Sequence, residues 1–491
     1  MNTYRMKERI VPYDDAWDVI VIGGGPAGSA AAAASAREGA RTLLIEQTGC
    51  LGGMGTSGLV PAWTPVTDGE KFVYSGIATR VFKECKKGIA HLKEEDIHGW
   101  LPLDPEALKR IYDDLVLGNG AKIMFHTKLA SVEKEDDSHI SEIVVSRKEG
   151  LLALRAKVYV DCTGDGDAAV MAGAEYEKGT PVTGGLQPAT LCFIVSNADS
   201  YGFLTDYAAI NSVKEGNWMY AGSEIFDIVA SGKYPLILDT HICGNLIGPN
   251  TIGFNAGHLF DVDNTNTESV SEAMVTGRKL AKAIQTALSE FKPRVFANSY
   301  LASTANLVGA RETRRIKGAY SLTVEDYLGR KSFKDEISRN CYKIDIHQTQ
   351  EEAASIMSLE GFLNYEKKNE TQGKTYLRYR NGESHGIPYR CLTPSGLDNL
   401  LIAGRCISTD RRVQGSVRVM PVCLSTGEAA GTAAALAAAA AFAAGATLAG
   451  GATLAGGVAG AGAPGSGSVN VHTVDTDILR TRLRDEGGYL P

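Results

Sequence analysis

Residues 18–46 read DVIVIGGGPAGSAAAAASAREGARTLLIE, and this stretch decides the fold. It opens with an apolar, β-branched run from Asp18 to Ile22, as in a buried parallel strand. Residues 29–37 are rich in alanine, which favours a helix, and residues 42–45 are a second apolar run. The order strand, helix, strand predicts a βαβ unit and therefore a Rossmann-like α/β domain.

The glycines between the first strand and the helix fit the pattern G-x-G-x-x-G. Gly23 suits the tight turn, Gly25 lets a pyrophosphate approach the backbone, and Gly28 lets helix and strand pack closely. Pro26 and Ala27 complete the loop. We expect phosphates at the helix N-terminus, where free N–H groups and the helix dipole favour negative charge.

Glu46 ends the second apolar run, 18 residues after Gly28. At about this offset an acid accepts hydrogen bonds from the ribose of a bound nucleotide, and its charge favours a ribose without a phosphate. The alternative is a glycine-rich turn in an unrelated α/β protein, but strand, helix and acid all agree with nucleotide binding. The sequence predicts an adenine dinucleotide and leaves open which one.

The composition indicates a globular protein that acts on small molecules. A chain of 491 residues is long enough for two or three domains, and its net charge of −7 argues against a nucleic-acid surface. The nine cysteines form no C-x-x-C pair and the nine histidines no H-x-x-x-H pair, so we predict no metal. The N-terminus lacks the apolar core of a signal peptide, so we expect a cytoplasmic protein.

Further elements follow from capping and alternation. Asp104 directly before Pro105 is an N-cap followed by a proline in the first turn, which predicts a helix. Alternating segments at 122–132, 140–147 and 151–160 predict an antiparallel meander attached to the first sheet.

The alanine-rich region near the C-terminus permits two interpretations. No charged residue occurs between Glu428 and Asp475, so a membrane span is one of them. Alanine and glycine carry little hydrophobic driving force, which favours the other, a helix that starts around Ser425 and ends in a linker. We predict a Gly/Ala-rich linker over 446–470 and a helical segment over 471–491.

Several motifs occur in the order found in one group of flavoproteins. They are E-Q-T-G-C-L-G-G-M at 46–54, D-C-T-G-D-G at 161–166, L-V-G-A-R-E-T-R-R-I at 307–316, I-P-Y-R at 387–390 and L-I-A-G-R at 401–405. With these motifs the chain resembles the FAD-dependent oxidoreductases of the glutathione-reductase-like superfamily. It is distantly similar to the flavoprotein subunits of fumarate reductase and succinate dehydrogenase.

The resemblance implies that the dinucleotide is FAD. Besides the glycine loop from Gly23 to Gly28, it implies these cofactor-binding residues: Glu46, Gln47, Gly53, Met54, Leu129, Thr163, Gly164, Gly404, Arg405, Gly415, Ser416 and Val417. The turn at Gly415 to Arg418 would start a helix whose N–H groups face the N1/O2 edge of the flavin. Superfamily members commonly carry an acid where this chain has Arg405.

The change of pattern along the chain, to mixed strands and helices without another nucleotide motif, predicts the domain organisation. Residues 14–183 and 391–445 would form a discontinuous FAD-binding domain, and residues 184–390 an inserted α+β substrate domain. In the inserted part, apolar positions at helical spacing predict a helix from Ser269 to Phe291.

Absent motifs narrow the function. Cys50 has no partner at C-x-x-x-x-C spacing, which excludes a dithiol relay; it is either a buried spectator or a site of covalent flavin attachment. No second G-x-G-x-x-G follows a strand, so a nicotinamide domain is missing. Electrons would come from an organic substrate or from a partner protein.

The candidate catalytic residues are Arg311, His385 and Tyr389, with His258 and Asn255 as weaker candidates. An arginine can clamp a carboxylate, and a histidine or tyrosine can take a proton. The alternatives are an ion-pair network for the Arg-Glu-Thr-Arg-Arg stretch and a solvent-exposed loop position for the histidine.

The sequence therefore predicts an enzyme in which a hydride passes between flavin N5 and a small polar organic substrate at the domain interface. The alternative is an electron carrier or redox sensor that serves a partner protein. The oligomeric state stays open.

Overall fold

The structure is a computed structural model that describes residues 3–5, 7–181, 183–211, 223–347, 379–450 and 469–491. The strands are β1 (Tyr13–Ile22), β2 (Thr42–Ile45), β3 (Ala62–Trp63), β4 (Leu101–Pro102), β5 (Lys122–Met124), β6 (Lys128–Lys134), β7 (Ile140–Arg147), β8 (Gly150–Asp161), β9 (Tyr176–Lys178), β10 (Phe193–Ser196), β11 (Ile242–Gly248), β12 (Thr251–Ala256), β13 (Tyr300–Thr304), β14 (Arg314–Ile316), β15 (Glu336–Asn340), β16 (His385–Pro388) and β17 (Leu400–Ile402). The helices are α1 (Pro26–Arg37), α2 (Ile77–Lys87), α3 (Pro105–Gly118), α4 (Asp167–Met171), α5 (Ser200–Asn211), α6 (Glu224–Ala230), α7 (Thr267–Phe291), α8 (Pro293–Phe296), α9 (Val324–Leu328), α10 (Arg411–Val417), α11 (Met420–Gly450) and α12 (Thr476–Asp485).

The main sheet has the strand order β5-β2-β1-β8-β7-β6, and β17 pairs with the end of β8. β1 is parallel to both β2 and β8, and α1 connects β1 to β2, which confirms the predicted βαβ unit and the α/β class. β6, β7 and β8 form an antiparallel meander, as predicted. Residues 122–124 are different, because they form β5 and pair in parallel with β2.

The N-terminus of α3 follows the predicted capping. A carboxylate oxygen of Asp104 accepts hydrogen bonds from the N–H groups of Glu106 (2.8 Å) and Ala107 (3.2 Å), and Pro105 is the first helical residue. Two of the orphan N–H groups of the helix are thereby satisfied.

Helices α1 and α11 pack against each other through small residues. A Cβ atom on Gly427 would lie 2.1 Å from the carbonyl oxygen of Ala27, and one on Gly431 would lie 2.1 Å from that of Ala31. Because these pairs advance together, the two helices run parallel, and both N-termini point to the same end of the molecule.

Helix α11 begins at Met420, five residues before the predicted start. Over Met420–Ala441 it is long and apolar enough to cross a membrane, but 89% of its most apolar window is buried inside the protein. It is a core helix of the main domain. Most of the predicted linker, 451–468, lies outside the described residues, and the C-terminal part forms α12.

A second, antiparallel sheet has the order β11-β12-β10-β13. With α7 and neighbouring helices it encloses a separate hydrophobic core whose buried residues run from Ala189 to Val308. The buried residues from Ile316 to Tyr389 pack instead on the core of the main sheet. The second core is therefore shorter than the substrate domain predicted over 184–390, because the chain rejoins the first core soon after Val308.

Candidate active site

One cavity of about 560 Å³ connects the glycine loop after β1 with the second sheet. Its first part is lined by Gly23, Gly25, Pro26, Ala27, Glu46, Gln47, Gly53, Met54, Leu129, Thr163, Gly164, Gly404 and Arg405. Its second part is lined by Thr190, Cys192, Asn255, Arg311, Tyr342, Asp345, His347 and Arg418. We call these two parts the cofactor region and the substrate region.

The glycine loop leaves room for a phosphate group. A Cβ atom on Gly25, the N-cap residue of α1, would meet nothing within 4 Å. A Cβ on Gly23 (φ +96°) would lie 2.7 Å from the carbonyl oxygen of Cys162, and one on Gly28 would lie 1.7 Å from that of Gly23. Gly23 and Gly28 thus permit close packing, while the open space at Gly25 fits a pyrophosphate at the helix N-terminus.

Glu46 lines the cofactor region and is held by the backbone. Its Oε2 accepts a hydrogen bond from the N–H of Gly24 (2.7 Å), and its Oε1 accepts one from the N–H of Thr48 (2.7 Å). The carboxylate is therefore fixed beside the glycine loop, and each oxygen keeps acceptor capacity for a ribose hydroxyl.

Arg405 connects three segments of the cavity wall. Its Nε donates to the carbonyl oxygen of Gly164 (3.0 Å), and its two terminal nitrogens donate to the carbonyl oxygen of Ala310 and to the carboxylate of Asp165. The arginine that replaces the usual acid is thus neutralised by Asp165, which itself lines the cavity.

The helix N-terminus at the flavin end of the cavity is not the predicted one. Gly415, Ser416 and Val417 are the buried last residues of α10, whose N-terminus is capped by Asp410, and none of them lines the cavity. The chain turns after them, and the next helix, α11, begins at Met420. Val419 and Met420, a few positions later, line the cavity instead.

Arg311 is the central cation of the substrate region. Its side chain is buried, and its Nη1 donates to the carbonyl oxygen of Pro188 (2.7 Å) and to Oγ1 of Thr190 (2.9 Å). Its Nη2 lies 3.4 Å from both Asn255 Oδ1 and His241 Nε2. Burial lowers the pKa of Arg311 to about 10, so it stays charged at neutral pH. Among the described residues no carboxylate pairs with it.

The rest of the Arg-Glu-Thr-Arg-Arg stretch forms ion pairs. Glu312 pairs with Arg315 (3.0 Å) and with Arg411 (2.8 Å), and Arg314 pairs with Asp167 (2.7 Å). Both interpretations of this stretch therefore apply, each to different residues, since only Arg311 faces the substrate region without an acidic partner in the described chain.

Arg418 and Tyr342 form the opposite wall around Asp345. Nη2 of Arg418 donates to the backbone carbonyl of Asp345 (2.8 Å), and Tyr342 OH donates to Oδ2 of Asp345 (3.1 Å). Nε of Arg418 is buried and has no hydrogen-bond partner among the described residues. It is a buried donor whose hydrogen-bonding capacity is unused within the described chain.

Three histidines pack behind this wall. Nδ1 of His258 lies 2.5 Å from Oδ2 of Asp239, and Nε2 of His258 lies 2.9 Å from Nδ1 of His347. The ring of His241 stacks on that of His258, with centroids 4.1 Å apart and planes at 13°. Burial is the main cause that lowers the pKa of all three imidazoles, so they are neutral at pH 7.

These histidines have the spacing of metal ligands but not the orientation. Their candidate ligand nitrogens lie within 4.8 Å of one another. A metal ion lies close to the plane of each imidazole that binds it. Since the rings of His241 and His258 are nearly parallel and stacked, one ion cannot lie in both planes. His258 and His347 instead form a hydrogen-bonded chain with Asp239, and His241 stacks against it.

The profile of the FAD dependent oxidoreductase family matches residues 18–447. The chain belongs to this family. Its cofactor is FAD, and the cradle at Gly25 and the first turn of α11 fit that cofactor.

Individual known proteins are similar to this chain either over a short stretch or at low identity. Digeranylgeranylglycerophospholipid reductase of Methanocaldococcus jannaschii is 54% identical over 35 residues, which is 7% of this oxidoreductase and only 9% of that relative's length. A geranylgeranyl bacteriochlorophyll reductase-like protein of Thermoplasma acidophilum is 13% identical, over 88% of this chain and 80% of its own, with a TM-score of 0.42. The p-nitrophenol 4-monooxygenase of Pseudomonas putida is 11% identical, over 89% and 82%, with a TM-score of 0.42.

Two predicted catalytic residues of the oxidoreductase lie away from the cavity. His385 is fully buried in β16, and its Nδ1 is hydrogen-bonded to Tyr379 OH (2.7 Å). Tyr389 is also buried, and its hydroxyl donates to the carbonyl oxygen of Val471 (2.8 Å). Neither residue lines the cavity. The structure therefore does not place either side chain at the candidate site, because β16 and the turn after it pack into the core of the main sheet.

Most of the other candidate residues lie at the cavity or next to it. Arg311 and the weaker candidate Asn255 line the substrate region, and His258 belongs to the histidine chain. Cys50 is half-buried, with its Sγ 3.1 Å from Ser57 Oγ, and does not line the cavity.

Sequence reasoning missed His347, Asp239 and Arg418 as functional candidates. Asp239 and His258 are 19 residues apart, and His258 and His347 are 89 residues apart. No local motif joins such positions, so only the fold brings them together.

Proposed function

We propose that this oxidoreductase moves a hydride between N5 of FAD and a small polar organic substrate that carries an anionic group, held in the substrate region. The observation that carries the proposal is Arg311, a buried cation whose hydrogen-bond partners in the described chain are all neutral. Buried charges in proteins are normally paired, so an anionic ligand is the expected partner.

The guanidinium leaves part of its fork available. Nη1 already donates to Pro188 and Thr190, whereas the contacts of Nη2 at 3.4 Å are long. A carboxylate of the substrate would therefore bind mainly through Nη2 of Arg311. This would fix the substrate in one orientation.

The cofactor region orients the flavin. When bound, FAD supplies a two-electron acceptor and donor at N5. The N-terminus of α11 lies at the cavity, since Met420 and the preceding Val419 line it, and a helix N-terminus would stabilise negative charge on the N1/O2 edge. Tyr342 and Cys192 are buried and line the cavity.

Anaerobic reduction of the bound flavin tests this function. The purified protein, loaded with FAD, is mixed with a panel of hydroxy acids and amino acids and with the matched neutral amides. We expect some acids to bleach the visible flavin band and the matched amides to react far more slowly. Equal bleaching by acids and amides would exclude the anionic handle, and bleaching only by a protein donor would favour an electron carrier.

A further inference from the structure

We propose that His347 is the catalytic base of this reaction and that His258 and Asp239 are positioning residues that keep its proton-accepting nitrogen free. The proposal rests on the proposed function, because it assigns the proton that must leave when a substrate is dehydrogenated. The three residues form one chain of two hydrogen bonds, 2.5 Å and 2.9 Å long, which we call the histidine chain.

The histidine chain determines where each proton lies. An ionised carboxylate can only accept, so Nδ1 of His258 donates to Asp239. A neutral imidazole has one N–H group, so Nε2 of His258 must accept, and Nδ1 of His347 must donate to it. His347 therefore keeps its proton on Nδ1, and its Nε2 has a free lone pair.

The free nitrogen belongs to the one member of the chain at the cavity. Asp239 and His258 are 5% and 7% exposed, whereas His347 is only partly buried and lines the substrate region. Nε2 of His347 faces the carboxylate of Asp345, with 3.7 Å between Nε2 and Oδ2, and this carboxylate favours the charged form of the imidazole. Arg311 and His347 line the same region, and the Arg311 charge acts on the His347 imidazole, so a substrate bound at Arg311 would share that region with His347.

The surroundings keep His347 neutral before reaction and stabilise it afterwards. Burial, and after it the Arg311 guanidinium, hold the pKa of His347 well below its usual range. An anionic substrate on Arg311 would offset that positive charge. The carboxylates of Asp345 and Asp239 favour an imidazolium once a proton has been taken up.

For an alcohol substrate, the proton and the electron pair that leave each have an acceptor. The C–H and O–H bonds of the alcohol break and a carbonyl double bond forms. The hydrogen of the C–H bond leaves with its electron pair to the bound FAD, which is the oxidant, and the hydroxyl proton passes to Nε2 of His347. In the reverse direction His347 returns the proton.

The tautomer of His347 is the decisive measurement. ¹⁵N-histidine NMR of the FAD-loaded protein, assigned with His347→Gln, should show a proton on Nδ1 and none on Nε2. In Asp239→Asn the amide can donate to His258, so the proton of His347 should move to Nε2. Asp261→Asn is the matched control, since Asp261 is exposed and its φ of +56° suits asparagine, and it should leave the spectrum unchanged.

The result that would overturn the proposal is a wild-type His347 with its proton on Nε2, or a tautomer unaffected by Asp239→Asn. This measurement needs no substrate, so it decides the histidine chain even if no compound in the panel reduces the flavin. If no compound in the panel reduces the flavin, only the proposed function is contradicted.

Stopped-flow reduction by a reactive acid tests the catalytic role. His347→Gln should slow flavin reduction by roughly 10²- to 10⁴-fold, the range of general base catalysis. His258→Gln should slow it as well, with FAD retention and the melting temperature as checks on folding. An unchanged rate in folded His347→Gln would exclude His347 as the base while leaving the proposed function intact.

Discussion

Nη1 of Arg311 donates a 2.7 Å hydrogen bond to the carbonyl oxygen of Pro188, so a charged side chain is held in place by a neutral backbone group. Carbonyl groups orient a guanidinium without neutralising it. The positive charge of Arg311 can therefore pair with an anionic group bound in the substrate region.

Replacement of Arg311 by glutamine should weaken substrate binding and slow the reaction without loss of FAD. Truncating one partner of a buried charge pair costs about 2–4 kcal/mol, or roughly 30- to 1000-fold in kcat/KM. Steady-state kinetics with an acid that reduces the flavin would measure this loss. Arg278→Gln, on the exposed face of α7, is the control and should behave as wild type. Full activity in Arg311→Gln would remove the basis of the proposed anion site.

Replacement of Gly25 by alanine should release FAD but preserve the fold. The new Cβ meets nothing within 4 Å of the protein, so the stability of the apoprotein should stay within about 1 kcal/mol of wild type. It would occupy the space where the pyrophosphate approaches the backbone, and FAD affinity should fall at least tenfold. Fluorescence titration with FAD measures the affinity. Gly118→Ala, whose Cβ is equally unobstructed but lies at the end of α3, should bind FAD normally.

Replacement of Gly431 by alanine should destabilise the main domain. A Cβ 2.1 Å from the carbonyl oxygen of Ala31 forces α1 and α11 apart, and such overpacking costs about 1–3 kcal/mol. Thermal unfolding followed by circular dichroism should show a lower melting temperature. In Gly88→Ala the nearest contact of the added Cβ is an ordinary 3.6 Å, so this variant should melt like wild type. Equal melting of the two variants would contradict the packing described for α1 and α11.

His385 should contribute to the pH dependence of stability. Burial lowers the pKa of His385 to about 3, from an ordinary value of 6.5. As the pH falls from 6.5 towards 3, the unfolded chain takes up a proton on this histidine and the folded chain does not. Stability is therefore lost on acidification, by up to about 1.4 kcal/mol per pH unit.

Denaturant unfolding at pH 7 and pH 5 checks this contribution. The loss of stability between the two pH values should be smaller in His385→Gln than in wild type. In the control His98→Gln, which alters an exposed histidine, the loss should match wild type. The same loss in all three proteins would show that His385 titrates normally.

Much of the fold could be predicted because its signals are local. The strand, glycine loop and helix from Asp18 to Arg37 are contiguous, and the Asp104-Pro105 cap fixes the start of α3. The turn between α10 and α11 was misplaced by a few residues because Gly415 and Ser416 suggest a helix start, whereas packing buries them at a helix end.

The two parts of the candidate site also differ in how far the sequence predicts them. Its cofactor region is lined by residues of local sequence motifs, such as Thr163-Gly164 and Gly404. Its substrate region is assembled from side chains that are far apart in sequence, such as Asn255 and His347. His385 and Tyr389 show the converse, since residue types suited to catalysis can serve as buried core residues.

The parallel packing of α1 and α11 does not involve the second core. The two helices whose N-termini reach the cavity pack together through residues 27–31 and 427–431. These two segments are about four hundred residues apart in sequence. The second core, from Ala189 to Val308, lies between these segments in sequence and takes no part in that packing. The contacts that hold these two helices together are therefore independent of the residues of the second core.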